Sequence, residues 1–495
     1  MKFRVQLVIE SNDDRPDVVE EIGVFERGQL RAENLGLTLA EARELLRGLQ
    51  QAVVTEQTAQ FIEEQTHCPT CSTRRARKGQ HSIAFRTAFG KLGLRSPRYY
   101  QCCGVPSSAK SVSPLAKLLA ERTAPELVYL ESKFAGLMSY GMTVSVLSEV
   151  LPLGTAISTT GVRRQVHAVA QRLESELGEE RGSFIDTCQL DLDKLPDPGP
   201  PLTVGLDGGF VHARDENYRQ AGSFEVIVGK SVVEDGGAKC FAFVNRADAK
   251  PKRRLFEVLK SQGLQPNQQL MFLSDGGDTV RDLQMYLSPE SEHWLDWFHI
   301  TMRLTVMGQY VKGLTAELRA EDKKPIPPDG DESDESIDAA DIAQRLERLK
   351  WNLWHGNVRR ALQIVDLLEE ILEIDGAPFE NGRKLHKAIR EFGHYIAVNR
   401  VFVPNYGDRH RHGEAISTAF VESTVNQVVS KRMVKQQQMR WTQQGAHLLL
   451  QIRTQALNGD LRGNFCRWYP GMERDSRNQD GMAAPRSCPH FILVS

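Results

Sequence analysis

Three acidic residues stand where a metal-dependent chemistry would place them. Asp207 closes the apolar run Leu202-Thr-Val-Gly-Leu-Asp207-Gly-Gly, and Asp275 closes a second, Gln269-Leu-Met-Phe-Leu-Ser-Asp275-Gly-Gly. Glu422 lies in a helix-period segment, Ala415-Ile-Ser-Thr-Ala-Phe-Val-Glu422-Ser-Thr-Val-Asn-Gln-Val-Val. Two carboxylates at strand ends plus one on a late helix can form a cage of hard oxygen ligands for divalent metal. Paired metals about 3.5–4 Å apart clamp the attacking and leaving oxygens of a phosphodiester during in-line displacement. The glycines after Asp207 leave room for a nucleic-acid backbone to approach. Each acid has an ordinary competitor, a turn aspartate before glycines or a solvated glutamate. Asp278 and Asp282 are local rivals of Asp275, although the dipole of the helix they open accounts for them. Glu422 shares a helical face with Asn426 and Ser430, while Ile416, Phe420, Val425 and Val428 define an apolar stripe.

A second cluster is built from cysteine. Cys68-Pro-Thr-Cys71 and Cys102-Cys103 resemble the half-sites of a zinc ribbon, separated by 102 − 71 − 1 = 30 residues. Zinc takes four soft or imidazole ligands in a tetrahedron. The adjacent Cys102-Cys103 departs from a second Cys-x-x-Cys, so either both bind or one binds with His67 or His81 completing the shell; free thiols are the alternative. Cys188, Cys240, Cys466 and Cys488 are scattered and read as ordinary residues.

Charge is segregated around these clusters. The 495 residues carry a net charge of −2, with 40% hydrophobic and 25% charged residues, the composition of a globular protein. Yet Gln65 to Ala120 contains no Asp or Glu and ten basic residues, including Arg74, Arg75, Arg77 and Lys78. Such a block points to a polyanion partner. The opposite extreme is Asp329-Gly-Asp-Glu-Ser-Asp-Glu-Ser-Ile-Asp338, which reads as a solvated loop. No stretch approaches the ~20 apolar residues of a membrane span. The start turns acidic too soon for a secretory signal, and eight cysteines do not make a disulfide scaffold in so long a chain. A cytoplasmic protein is expected.

The elements that must position these residues follow from periodicity. Residues 1–66 predict two short strands and a long helix from Thr38, with Glu41 completing a capping box. Residues 67–109 predict a small β module. Residues 110–196 read as helical, and within them two helices flank a Gly-containing turn, the second with Arg163, Arg164 and Gln165 in its first turns. That arrangement fits either a helix-turn-helix or a merely packed pair. Strands are predicted over 202–211, 223–233, 238–244 and 269–274, with another at 292–300 and a helix near 252–262. Three meander strands followed by two alternating with helices make a mixed α/β sheet. Residues 301–400 are almost wholly helical.

Several motifs together resemble one family. Val204-Gly-Leu-Asp207-Gly-Gly, Leu273-Ser-Asp275-Gly-Gly, Leu295-Asp-Trp-Phe-His299 and Val421-Glu422-Ser are similar to bacterial insertion-sequence DDE transposases of the Mutator-like group, specifically the ISKra-type family. So are Met433 to Trp441 and the following Gly445-Ala446-His447. The resemblance covers nearly the whole chain. It implies a ribonuclease H-like catalytic core, first part 197–312 and second part 401–462, interrupted by an all-helical insertion at 313–400. The zinc-ribbon-like module (67–109) and helical DNA-binding region (110–196) would precede this core, with a tail at 463–495. It also implies that Asp207, Asp275 and Glu422 form a triad binding Mg²⁺ or Mn²⁺, although 422 − 275 = 147 residues separate the last two. Asp296-x-x-His299 looks like the group's Cys/Asp-x-x-His signature. His299 either holds a non-bridging phosphate oxygen or pairs with Asp296 to fix a strand–helix junction.

The expected function is therefore cleavage of DNA at terminal inverted repeats and joining of the 3′ ends to target DNA by two-metal phosphoryl transfer, in a homodimer or higher oligomer on double-stranded DNA. A structural zinc would hold the basic module. Lys431, Arg432, Lys435 and Arg440 would line the DNA channel or a solvated face, and Trp297 and Trp441 would stack on a base or be buried. A ribonuclease H-like nuclease without strand transfer, or a domesticated DNA-binding regulator, are the alternatives.

Overall fold

Each long element begins where its caps place it. The computed structural model describes residues 1–10, 17–103, 111–181, 184, 194–214, 222–233, 237–277, 287, 291–321, 338–374, 376–434 and 440–472. Within them the chain forms two units. One holds Met1–Leu173 and the stretch from Gln455, and the other holds Glu174–Thr454.

In the first unit, β1 (Lys2–Ile9) pairs antiparallel with β2 (Val18–Glu26), and α1 (Leu39–Glu64) follows. The capping box is present: Thr38 Oγ1 accepts from the Glu41 N–H at 3.3 Å, and Glu41 accepts from the Thr38 N–H at 2.9 Å. Arg27 donates to both Glu41 oxygens at 2.7 Å, tying the start of the helix to the end of β2. β3 (Arg77–Thr87) and β4 (Gly90–Tyr100) form an antiparallel hairpin with the short β5 (Ser111–Val112) beside β4. Ile83, Leu92 and Leu94 turn inward onto Val54 and Leu115. The helices α2 (Pro114–Leu118), α3 (Pro125–Leu137), α4 (Tyr140–Val150) and α5 (Thr159–Glu176) complete the run. The turn between α4 and α5 contains Gly154 at φ +53°. The helix Leu461–Trp468 also belongs here, anchored by Arg462 to Glu126 at 2.7 and 2.9 Å.

The second unit is built on a five-stranded sheet in the order β10-β9-β6-β7-β8. β6 (Leu202–His212), β7 (Ser223–Val232) and β8 (Lys239–Val244) form the antiparallel meander. After α6 (Pro251–Ser261), β9 (Leu270–Ser274) returns parallel to β6, and β10 (Glu292–Leu295) runs parallel to β9. The strands are apolar on both faces, as burial on both sides requires. Leu202, Val204, Leu206, Ile227, Phe241 and Phe272 pack with Leu255 and Leu259 of α6. The predicted fifth strand is shorter than expected, because its Trp297–Ile300 part turns into α7 (Trp297–Glu321).

Next come α8 (Ala339–Trp354), α9 (Val358–Ile374), α10 (Glu380–Val398) and α11 (Tyr406–Arg411), which share with α7 a core around Leu314, Leu349, Leu368, Ile389 and Phe392. The acidic run from Asp329 lies outside the described residues except for Asp338, which caps α8 by accepting from the Ala340 N–H at 2.8 Å. α12 (Ala419–Val425), a π-helix (Asn426–Val434) and α13 (Gln443–Leu457) close the unit. Among the described residues no helix is long and apolar enough to cross a membrane.

A buried polar network within the second unit joins Glu174, Asp248, Arg254 and Gln451. Arg254 donates to Asp248 at 2.8 and 3.1 Å, to Glu174 at 2.9 Å and to Gln451 at 2.6 Å. Burial alone would raise the Glu174 carboxyl, but His447 and Arg254 outweigh it and pull it down to about 2. Arg254→Met leaves Asp248 without its ion-pair partner and Glu174 with His447 alone, and is expected to destabilise the protein by about 3–5 kcal/mol, measured by denaturant unfolding. Because the folded Glu174 value lies below its ordinary one, the stabilisation is present above pH 4.5 and is lost as pH falls toward about 2. The variant should show a shallower acid loss of stability than the parent.

Candidate metal centres

The register of the sheet brings the first two acids to one place. Gly205 of β6 is paired with Leu273 of β9, so Asp207 and Asp275 each stand two residues beyond the same rung. Asp207 ends the apolar run but not the strand: β6, expected over 202–211, runs to His212, and pairing with β7 carries it on. Asp275 does follow the end of β9. The chain turns there through Gly276 at φ +84°, a left-handed position where a Cβ would also meet Asn399 Oδ1 at 2.6 Å. Backbone groups orient both carboxylates: the Gly208 N–H donates to Asp207 Oδ1 at 2.8 Å and the Gly277 N–H to Asp275 Oδ1 at 3.0 Å.

Burial pushes the Asp207 carboxyl above its ordinary value, His299 and the Gly208 N–H oppose that, and Asp275 and Asp296 add repulsion. His299 Nε2 stands 4.0 Å from Asp207 Oδ1 and 3.7 Å from Asp296 Oδ2. It therefore faces both carboxylates without a tight bond to either.

Glu422 is brought to the same strand by a different device. Asp296 is fully buried and accepts from the Phe298 N–H at 2.9 Å, from the Thr418 N–H at 2.9 Å, and from the Thr418 hydroxyl. It thereby fixes the residue at which α12 starts. The sequence expectation of a helix from Ala415 is corrected, since Thr418 is drawn onto Asp296 and winding begins at Ala419. The helix then lies on β6 with Val421 and Phe420 over Gly205 and Val425 over Gly209, the residues on either side of Asp207 on that face. The space at Gly209 is thus filled by a helix rather than left for nucleic acid. Glu422 is exposed beside buried Val421. The continuation is π-helical, so the even i, i+4, i+8 face expected through Ser430 is re-phased; Val421, Thr424, Val428 and Val429 are the buried positions.

The four thiols are gathered more tightly than the acids. Cys68, Cys71, Cys102 and Cys103 have sulfurs all within 4.8 Å of one another, with Cys68–Cys103 at 3.4 Å and Cys71–Cys102 at 3.6 Å. A tetrahedron with Zn–S of about 2.3 Å has edges of roughly 3.8 Å, so the set fits one zinc ion. Both adjacent cysteines join the group, and His67, whose Nδ1 lies 3.1 Å from Thr66 Oγ1, is outside it. The N–H groups of Cys71 and Thr70 pull the Cys68 thiol down to about 5, whereas Cys103, hydrogen-bonded to Cys68 and Cys71, is pushed up to about 12. A metal would replace those shared protons.

Among the described residues one other group, Glu174, Asp248 and His447, lies within 4.8 Å, but Arg254 already supplies its cation. The acids Asp207, Asp275 and Glu422 are not so close. Two ions about 3.5–4 Å apart, each bound at about 2.1 Å, would be spanned by ligands up to roughly 8 Å apart.

The basic residues divide. Arg74, Arg77, Lys78, Arg163, Arg164 and Lys431 are exposed, while Arg75 donates to the Gln65 carbonyl at 3.0 Å. Arg432 is corrected: it is 5% exposed and its guanidinium lies 5.4 Å from the ring centre of Trp441, so it packs rather than facing a channel. Lys435 lies outside the described residues. Trp441 is buried, and Trp297 packs against Trp354 and Tyr406 at 5.0 and 4.8 Å, so neither offers an open stacking face. Sequence reading missed Thr418, Arg303 and Tyr395. Arg303 lies one turn after His299 on α7, 4.3 Å from the ring centre of Tyr395, which feels the charges of Asp275 and Asp296. Its i, i+4 spacing from His299 was the available signal. No family model and no curated protein matches the chain.

Two outcomes follow from this geometry. A Cβ at Gly205 would stand 2.2 Å from Val421 Cγ2, whereas at Gly208 the nearest atom is Glu225 Oε1 at 3.7 Å. Gly205→Ala should therefore cost about 1–3 kcal/mol in thermal or denaturant unfolding, with Gly208→Ala much milder. Cys68→Ser should lower the bound zinc measured by metal analysis, while His67→Ala leaves it unchanged.

Proposed function

We propose that the chain is a DDE transposase of a bacterial insertion sequence, of the ISKra type, with a ribonuclease H-like catalytic core in its second unit. The observation that carries this reading is the placement of Asp207 and Asp275 at one level of adjacent parallel strands. The helix bearing Glu422 packs on the same strand through Gly205 and Gly209. The mixed sheet, three antiparallel strands followed by two parallel ones, supports it further.

In this reading Asp207, Asp275 and Glu422 hold two Mg²⁺ or Mn²⁺ ions through carboxylate oxygen, the donor such ions prefer. Bound there, such ions would supply charge neutralisation and would activate an oxygen nucleophile, water for cleavage and the freed 3′-hydroxyl for joining. Asp207 is raised first by burial and only then by repulsion from Asp275 and Asp296, and a cation held among these carboxylates would offset both. His299 holds a phosphate oxygen from the face opposite its Asp296 contact. Asp296 positions Thr418, and through it the helix of Glu422. Arg303 offers a further donor to phosphate, a charge-assisted bond of the stronger kind.

The first unit supplies DNA recognition: its zinc-ordered hairpin and exposed Arg74, Arg77 and Lys78 contact phosphate, which positions the duplex without reading sequence. Joining two element ends calls for at least a homodimer.

Cleavage of terminal-repeat DNA tests the reading. Asp275→Asn and Glu422→Gln should each slow cutting about a hundredfold or more while leaving gel-shift binding close to that of the parent. Glu414→Gln is the control, because Glu414 is held by Arg409 and should keep its activity. Cutting by Glu422→Gln at the parent rate removes that residue from the site. Cutting without joining of 3′ ends favours the nuclease alternative.

A further inference from the structure

A cavity of about 320 Å³ lies in the first unit, remote in sequence from the acids of the second. Its walls bring together Arg86 of β3, Arg122 before α3, Arg164 and Arg172 of α5, and Trp468 and Tyr469 at the end of the helix Leu461–Trp468. Four guanidinium groups around so small a volume concentrate positive charge, and the wall offers one acid, Glu121. That acid accepts from the hydroxyl of Tyr469, on the same wall, at 2.5 Å. Among the described residues, Arg86, Arg122 and Arg164 form no ion pair.

A second acid lies behind the wall. Glu131 of α3 is 3% exposed, and its Oε2 has no hydrogen-bond partner among the described residues. Burial pushes its carboxyl up to about 7, while Arg86 and Arg164 pull it down.

The aromatic side of the cavity is equally specific. The Arg172 guanidinium lies 4.3 Å from the ring centre of Trp468 and 5.5 Å from that of Tyr469, so a cation and two aromatic rings cluster on one wall. Bases stack on aromatic rings and on guanidinium planes alike. Gln165 donates to Thr123 at 3.1 Å and braces the wall from α5. A basic rim beside an aromatic wall suits a ligand with both phosphate and a planar heterocycle. The volume is at the lower end of ligand pockets, enough for one nucleotide and too small for a duplex.

We propose that this cavity binds a single nucleotide unpaired from DNA, with phosphate held by Arg86, Arg122 and Arg164 and base stacked on the Arg172–Trp468–Tyr469 surface. The inference rests on the DNA-processing reading above for the source of the nucleotide, but its test involves no cleavage, so the two can fail separately.

The experiment is calorimetric titration of the full-length protein with dAMP, deoxyadenosine and inorganic phosphate in turn. Saturable binding of dAMP, with both fragments much weaker, is expected. Arg164→Glu, an exposed position whose change does not disturb the core, should weaken dAMP about tenfold or more, as loss of one charge-assisted contact implies. Trp468→Leu should weaken dAMP and leave phosphate unchanged, and Lys431→Glu should alter neither. A duplex with an unpaired terminal nucleotide should compete for the site better than a blunt duplex. Absence of dAMP binding, equal affinity for phosphate alone, or an unaltered Arg164→Glu variant would overturn the assignment. Equal competition by the two duplexes would overturn DNA as the source.

Discussion

The buried carboxylate of Asp296 is the constraint on which the second unit depends. It follows β10, accepts from the first turn of α7 and from Thr418, and so closes a loop of 122 residues. A fully buried carboxylate is costly unless its lone pairs are filled, and here three donors fill them. Trp297 N–H to Ile416 at 3.1 Å and Tyr406 hydroxyl to the Leu295 carbonyl at 2.8 Å lie on the same seam. The helices α8 to α10 can therefore share a core with α7 without loosening the end of the chain that carries Glu422. His299, three residues after Asp296, inherits its place from the same junction.

Close approach is the second requirement. A helix can lie directly on β6 only if the strand lacks side chains beneath it, and Gly205 and Gly209 provide that on either side of Asp207. The acid is thus half-buried in a cleft between sheet and helix, which accounts for its raised affinity for a proton. The same burial would strengthen its attraction to a divalent cation, because neighbouring water competes less. The helix continues past Val425 as π-helical turns, and Val428 and Val429 are buried there together with Val421 and Thr424.

Much of this was readable from residue order, and the reasons differ by element. The strands of the second unit announce themselves as short apolar runs between glycines, and the capping box at Thr38 and Glu41 is a local signal satisfied by local bonds. The four cysteines could be paired as half-sites, yet whether both Cys102 and Cys103 turned inward depended on the β3–β4 hairpin closing. What sequence could not convey was long-range. Thr418 looks like any threonine until Asp296 reaches it, Arg432 looks like a surface cation until Trp441 covers it, and the glycines after Asp207 look like room for a ligand until a helix fills one of them. The cavity around Arg164 and Trp468 joins residues some three hundred positions apart, so no window along the chain contains it.

The central claim is that Asp207, Asp275 and Glu422 bind divalent metal as one site. Manganese binding followed by electron paramagnetic resonance tests it most directly, with the zinc-loaded full-length protein and terminal-repeat DNA. Two Mn²⁺ ions per chain with the broadened signal of a spin-coupled pair, reduced to weak binding when Asp207 is changed to Asn, are expected at a separation of about 3.5–4 Å. Manganese binding that is unchanged when all three acids are replaced by their amides would contradict the account.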